Sequence, residues 1–360
     1  MKYLIIFCSF LLFSNHFPSQ QKDYKLCITN KNECNKIILE RIIGDSLYYN
    51  MKAPKLTYVK NKYTTKGKIN FSQAFKIYSE KCNENYGIYI LNPGENNFVL
   101  KSSDKSLFPQ ADEDFKTILN NFEIDRDNIY KNISNDVKAN NNIFPSEKKI
   151  YYDRLINDNE NKRDSLIYES ASRSKNHNLV LWYLIYKTEN DWYYSSWYKR
   201  IFDSLPNDIK KSIAGKRLSN KFQTLEKIQI GEKFPIGTFT KNYIFKNSNK
   251  KYILVDFWFS HCGPCLADFP KYKEVYNHYK EKGLEIIGIS TDQTKNIDDW
   301  KKVMKEKNLS WLHFLDENGT ESKKYNINSF PTTFLLDSEG TIIKKNISPE
   351  ELEIFLEQNL

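Results

Sequence analysis

The residues best suited to chemistry are Cys262 and Cys265, two residues apart in Cys262-Gly263-Pro264-Cys265. The apolar run Tyr252-Ile253-Leu254-Val255 precedes them and predicts a buried strand over 251–259. Phe269, Tyr272, Val275, Tyr276 and Tyr279 follow at helical spacing. The pair therefore lies where a strand ends and a helix opens. Unpaired N–H groups at a helix start favour a negative sulfur, and the thiolate is the nucleophile of disulfide exchange. Two intervening residues let the second sulfur reach the first. On this placement Cys262, at the exposed helix end, attacks, and Cys265, one turn in and more buried, resolves the mixed disulfide. Half of a zinc site would also use this spacing, but it needs two further ligands. Cys27 and Cys34 lie far away in a different region and no His pair accompanies them, so no metal is expected.

Other groups surround this pair in sequence. Asp256 is bracketed by Val255 and Phe257, which favours a buried acid with a raised pKa over a solvent-facing one. His261 is either a cation beside the Cys262 thiolate or a solvent-facing turn residue. His278 and His313 fall on a helix and a strand with no partner and read as structural. Pro270 lies inside the helix and is expected to kink it.

These residues must be positioned by the elements around them. From about 226 onward the order is strand, helix, strand, helix, strand, strand, helix. Leu284–Ile289 is a second buried strand and Ile297–Lys307 a helix. Thr333–Leu336 and Thr341–Lys345 form a hairpin, and Pro349 starts a last helix over 350–358. Strands alternating with helices predict an α/β domain, a mixed sheet with helices on both faces. Residues 20–108 read as a β-rich domain, with turns at Gly44-Asp45 and Asn92-Pro93-Gly94. Residues 109–225 read as helical. There Phe115, Ile118, Leu119 and Phe122 recur at helical spacing, 179–186 is a buried helix, and 192–202 is an aromatic-rich one. Trp182, Tyr183, Tyr186, Trp192, Tyr193, Tyr194, Trp197 and Tyr198 are either the core of that helix pair or a peptide-binding face. The Asn-rich stretch 135–142 reads as a surface loop.

Residues 1–19 read as a signal peptide: Lys2, a short apolar run over 4–13, then Pro18 and Ser19. The mature chain is then exported, to a periplasm, without a membrane span. Cys27, Cys34 and Cys82 can make one bridge among themselves with one thiol left over, in any of three pairings. The net charge of +9 is spread over interleaved basic and acidic residues, so no nucleic-acid partner is expected.

The stretch from Ile253 through Asp256-Phe257-Trp258-Phe259-Ser260-His261 to Cys265 resembles thioredoxin. The wider pattern over about 228–360 is similar to exported thioredoxin-like thiol-disulfide oxidoreductases of the ResA/TlpA type. The resemblance implies that Cys262 and Cys265 are the redox pair and that Asp256 is a buried acid exchanging a proton with the second cysteine. It also implies that Pro331, in Ser329-Phe330-Pro331-Thr332-Thr333, is a cis-proline facing the disulfide. Phe330, Gly263 and Pro264 are expected beside Pro331 on the substrate-binding face. The chain departs from the family at His261, where Trp is usual, and at Asp268, where Glu is frequent. Both changes bear on the redox potential, not the reaction. Thr64 to Glu95 resembles the β-rich leader domain of Bacteroidetes exported proteins, and 202–235 resembles their helical linker.

The expected activity is disulfide exchange with exported proteins, in the reducing direction. It needs no cofactor, uses protein thiols and disulfides as clients, and takes its electrons from a donor that can be membrane-bound. A thiol peroxidase of related fold is an alternative, although Phe259-Ser260-His261 lacks the arrangement that precedes a peroxidatic cysteine. A ligand-binding protein with a supporting thioredoxin domain is another.

Overall fold

The computed structural model describes residues 21–30, 36–43, 49, 51–60, 62–101, 103–104, 106–140, 148–190, 195–240 and 250–360. The chain divides into two compact units, one up to Ala111 and one over Asp112–Leu360. The signal peptide expected at 1–19, the turn expected at Gly44-Asp45 and any role of Cys34 lie outside the described residues.

The first unit is built of strands. β1 (Lys22–Asn30), β3 (Thr57–Val59), β4 (Lys62–Ile69) and β7 (Gly94–Leu100) form one sheet in the order β3-β4-β1-β7. β2 (Ile38–Arg41), β5 (Gln73–Ser79) and β6 (Glu84–Leu91) form a second in the order β2-β5-β6. Alternation puts Tyr24, Leu26 and Ile28 of β1 inside, as period-two patterning requires. Cys82 is disulfide-bonded and Cys27 is a free thiol.

The second unit opens with helices: α1 (Glu113–Ala139), α2 (Lys149–Arg173), α3 (His177–Asn190), α4 (Ser196–Ser204), α5 (Asn207–Lys211) and α6 (Ile213–Glu226). Trp182, Tyr183 and Tyr198 are fully buried, so these members of the aromatic cluster are core; residues 192–194 lie outside the described residues. α4 begins later than the aromatic pattern suggested, because the Ser195 side chain accepts the Trp197 N–H and caps the helix there. The stretch from Asn135, expected as a loop, is helical through Ala139. In it Asp136 accepts from the Tyr152 hydroxyl and pairs with Lys148 at 2.8 Å, tying α1 to α2.

After the short α7 (Ile236–Phe239) comes a five-stranded mixed sheet. Its strands are β8 (Tyr252–Trp258), β9 (Leu284–Ser290), β10 (Leu312–Leu315), β11 (Thr332–Asp337) and β12 (Ile342–Lys345), in the order β10-β9-β8-β11-β12. The last two pair antiparallel and the others parallel. The sheet has five strands: the four of the expected order and the short edge strand β10, which carries His313, a residue the sequence also places on a strand. The helices are α8 (Gly263–Tyr279), α9 (Ile297–Glu306) and α10 (Pro349–Asn359). Alternation along β8 divides its side chains between two cores. Ile253, Val255 and Phe257 pack with Phe234, Phe239, Ile287 and Phe334 on one face. Leu254 and Trp258 pack with Phe269, Tyr272 and Val275 of α8 and with Leu352 and Leu356 of α10 on the other. Burying each such side chain contributes about 1.5–3 kcal/mol, which fixes the strand in the middle of the domain.

Candidate active site

The end of β8 turns directly into α8. The Cys262 N–H donates to the Phe259 carbonyl at 3.0 Å, closing the turn. Cys262 is the N-cap of α8, and its sulfur accepts the Cys265 N–H at 3.3 Å. Pro264 occupies the first turn, where its missing N–H costs nothing. Cys262 and Cys265 form a disulfide with Cα atoms 5.3 Å apart. Both are buried, at 3% and 1% exposure. This corrects the expectation of an exposed Cys262: in the disulfide its sulfur joins the core of Trp258 and Phe269. The surface beside the pair belongs instead to Gly263 and Pro264, which are exposed.

Pro331 lies at the same end of the sheet. Thr332 pairs with Phe257 across β11 and β8, so Pro331 precedes β11 just where β8 runs into the cysteine turn. The Phe330–Pro331 peptide is cis. Phe330 packs edge-on against Phe259, ring centroids 5.5 Å apart. The structure thus brings Phe330, Pro331, Gly263, Pro264 and the disulfide together at one end of the domain.

Asp256 shares its face of β8 with Leu254 and Trp258, and that face is covered by α8. It is 2% exposed, and its Oδ1 has no hydrogen-bond partner among the described residues. Burial, assisted by the charge of Asp268, pushes its pKa up to about 7. Cys265, Asp268 and Tyr272 line one face of α8 at helical spacing. Asp268, half-buried, is itself raised by burial and by Glu350. Burial, then the charge of Asp256, holds the Tyr272 hydroxyl well above its ordinary range.

A second polar cluster supports the turn and was not singled out from sequence. Asp292 is buried just beyond β9. It accepts the Ser260 N–H at 2.9 Å, the Ser260 hydroxyl at 2.5 Å and the Ser290 hydroxyl at 2.7 Å. The Ser260 proton is thereby committed to Asp292. The His261 Nδ1, 2.9 Å from the same oxygen, must then donate to it. His261 Nε2 lies 3.5 Å from Asp299 at the surface. Asp292 lies just beyond the strand expected over 284–289, and nothing local to it in sequence marks it as the partner of Ser260. His278 is exposed. His313 is wedged between Trp258 and Trp311, ring centroids 5.9 and 5.7 Å away. Gly288 makes room for it, since a Cβ there would meet His313 Nδ1 at 2.6 Å. Among the described residues, no group of acids, cysteines and histidines is arranged to hold a metal.

A dithiol/disulfide at a helix start, a cis-proline opposite and a buried carboxyl under the helix define a thioredoxin-like oxidoreductase. A family model described as Redoxin matches residues 229–358. Thiol-disulfide oxidoreductase ResA of Bacillus cereus is 32% identical over 144 residues, which is 38% of this chain and 82% of that protein. ResA of Bacillus anthracis is 31% identical with the same coverage of 38% and 82%. The solved thioredoxin domain of a thiol-disulfide oxidoreductase from Bacteroides vulgatus is 33% identical, with a TM-score of 0.32, covering 36% of this chain and 97% of that one. The chain belongs to the ResA-type thioredoxin-like thiol-disulfide oxidoreductases and is an enzyme of that class.

Proposed function

We propose that this enzyme reduces disulfides in exported client proteins through Cys262 and Cys265. The observation that carries the reading is the Cys262–Cys265 disulfide at the start of α8, at the same end of the sheet as the cis Phe330–Pro331 peptide. In the reduced enzyme the Cys262 thiolate attacks a client disulfide. One client sulfur bonds to Cys262 and the other leaves as a thiolate, which takes a proton from water. Cys265 passes its proton to Asp256 and attacks Cys262, releasing the second client thiolate, which takes up that proton and leaves Asp256 ionised again. The enzyme ends as the Cys262–Cys265 disulfide and the client as a dithiol. A thiol or membrane-bound donor returns two electrons and two protons to reset the pair.

Asp256 suits the role of proton acceptor because its pKa of about 7 lies near working pH. Phe330, Pro331, Gly263 and Pro264 form the face on which the client disulfide is presented. The reducing direction is supported by Gly-Pro between the cysteines and by the buried acid. Export to a periplasm rests on the N-terminal sequence at 1–19. No described helix is long and apolar enough to cross a membrane. We assign the β-rich part to 20–108, the helical part to 109–225 and the catalytic domain to 226–360. Redox equilibration of the full chain against known thiol buffers tests the direction. A potential near roughly −270 mV fits a reductase, whereas one near roughly −120 mV would make the enzyme an oxidant.

A further inference from the structure

A groove of about 800 Å³ extends from Pro331 along the last strand of the sheet. β12 ends that sheet, and among the described residues its outer edge is paired only at its start. There the Gly231 N–H donates to the Ile342 carbonyl at 2.8 Å, and the Ile342 N–H to the Glu232 carbonyl at 2.9 Å. Beyond Ile342 no described strand pairs with the outer side of β12, and Lys344, Lys345 and Asn346 line the groove. The facing walls carry apolar side chains among the amides of Asn157, Gln229 and Gln358. Ile156 comes from α2, Ile230 from the segment after α6, and Ile354 and Phe355 from α10. Ile230 is 63% exposed and Ile354 53%, so both present apolar surface at the groove.

Two lysines line this groove: Lys344, over the Phe355 ring, is exposed to water, whereas Lys345 is partly withdrawn from it. The Lys345 ammonium lies over the Phe334 ring, 5.5 Å from its centroid, with no carboxylate beside it among the described residues. Burial depresses its pKa to about 8. The acid that lines the groove, Glu351, is engaged at the start of α10, where it accepts the Ser348 N–H at 2.8 Å. A desolvated ammonium without a counter-charge is costly, and a carboxylate entering the groove would supply that charge.

We propose that this groove docks an extended, apolar segment of a client protein that carries a carboxylate side chain over Lys345. The open edge of β12 suits an extended chain, the isoleucines suit its apolar side chains, and Lys345 selects for acid. The groove leads to Pro331, so a segment held there brings its own disulfide to Cys262. The proposal rests on the disulfide-exchange reading above and adds the kind of client that the enzyme prefers.

The test is binding of two short, fluorescein-labelled, cysteine-free peptides to the full chain, followed by anisotropy. Both are rich in Leu and Ile; one carries a central Glu and the other a Lys in its place. The Glu peptide is expected to bind about tenfold more tightly. Lys345→Met is expected to abolish that preference, and Ile230→Ser to weaken both peptides; Ile230 is exposed, so the fold should tolerate the change. Equal affinity for the two peptides, binding of neither, or a preference that survives Lys345→Met overturns the proposal. No cysteine takes part in this measurement. Its failure therefore leaves the redox reading standing, and failure of the redox reading would leave the binding result intact.

Discussion

Asp268, one turn along α8 from Cys265, faces Asp256 on β8 and raises its pKa. Two carboxyls meet between helix and sheet, and the more deeply buried one keeps its proton longer. That places a group able to gain and lose a proton near neutral pH beneath the helix turn that carries Cys265.

Replacing Asp256 by Asn should slow resolution by Cys265 by about 10²–10³-fold while leaving the first attack by Cys262 nearly intact. It should also stabilise the fold at alkaline pH. The folded pKa is raised, so the native state holds the proton more tightly than the unfolded chain. Wild-type stability is therefore lost as pH climbs from 3.8 through about 7. Above that range the cost is at most about 4 kcal/mol. Stopped-flow kinetics with a model disulfide and urea melts at pH 8 check the two effects. Wild-type rates in both steps would make Asp256 a bystander.

Asp268→Asn removes the charge that helps to hold the proton on Asp256. The midpoint of the resolving rate, which rises with pH as Asp256 ionises, should move to lower pH. Asp268→Glu should keep it near the wild-type position. A pH–rate profile of the resolving step reads both; a midpoint unmoved by the Asn variant would show that burial alone sets this pKa.

Asp292 accepts three hydrogen bonds from Ser260 and Ser290. Asp292→Ala leaves those buried donors without a partner and should destabilise the domain by about 3–5 kcal/mol. Because Ser260 leads into the cysteine turn, alkylation of Cys262 in the reduced variant should also change in rate. A variant as stable as the wild type, with an unchanged Cys262, would contradict the role of Asp292 in bracing the turn.

The dithiol, its helix start and the inward face of Asp256 were legible in sequence because each follows from local pattern. An apolar run fixes a strand, alternation fixes the side on which Asp256 points, and a helix begins after Cys262. Pro331 could be assigned only through resemblance, since nothing local to 329–333 brings it beside β8; the pairing of Thr332 with Phe257 does. The Asp292 cluster joins residues 32 apart in sequence, 260 and 292, and neither position is unusual alone. Burial of Cys262 also depended on packing, because Trp258 and Phe269 close over the pair.

His313 offers a separate check on the core. Burial lowers its pKa to about 4 from 6.5. The unfolded chain therefore binds the proton first, and stability present above pH 6.5 is lost as pH falls towards 4. The loss should be about 1–3 kcal/mol. Asp256 changes stability in the opposite sense over part of this range. Urea melts at pH 7 and pH 4.5 in the Asp256→Asn background isolate the histidine, and His313→Leu in that background should flatten the difference. An equal loss with and without His313 would assign acid sensitivity to other groups.

The central claim is that Cys262 forms the bond to the client and Cys265 breaks it. Trapping tests it most directly: Cys265→Ser and Cys262→Ser versions of the full chain are produced in cells, thiols are quenched, and disulfide-linked adducts are mapped by mass spectrometry. The account predicts client proteins joined to Cys262 in the Cys265→Ser chain and few or none in the Cys262→Ser chain. Adducts chiefly through Cys265, or none in either chain, would contradict it.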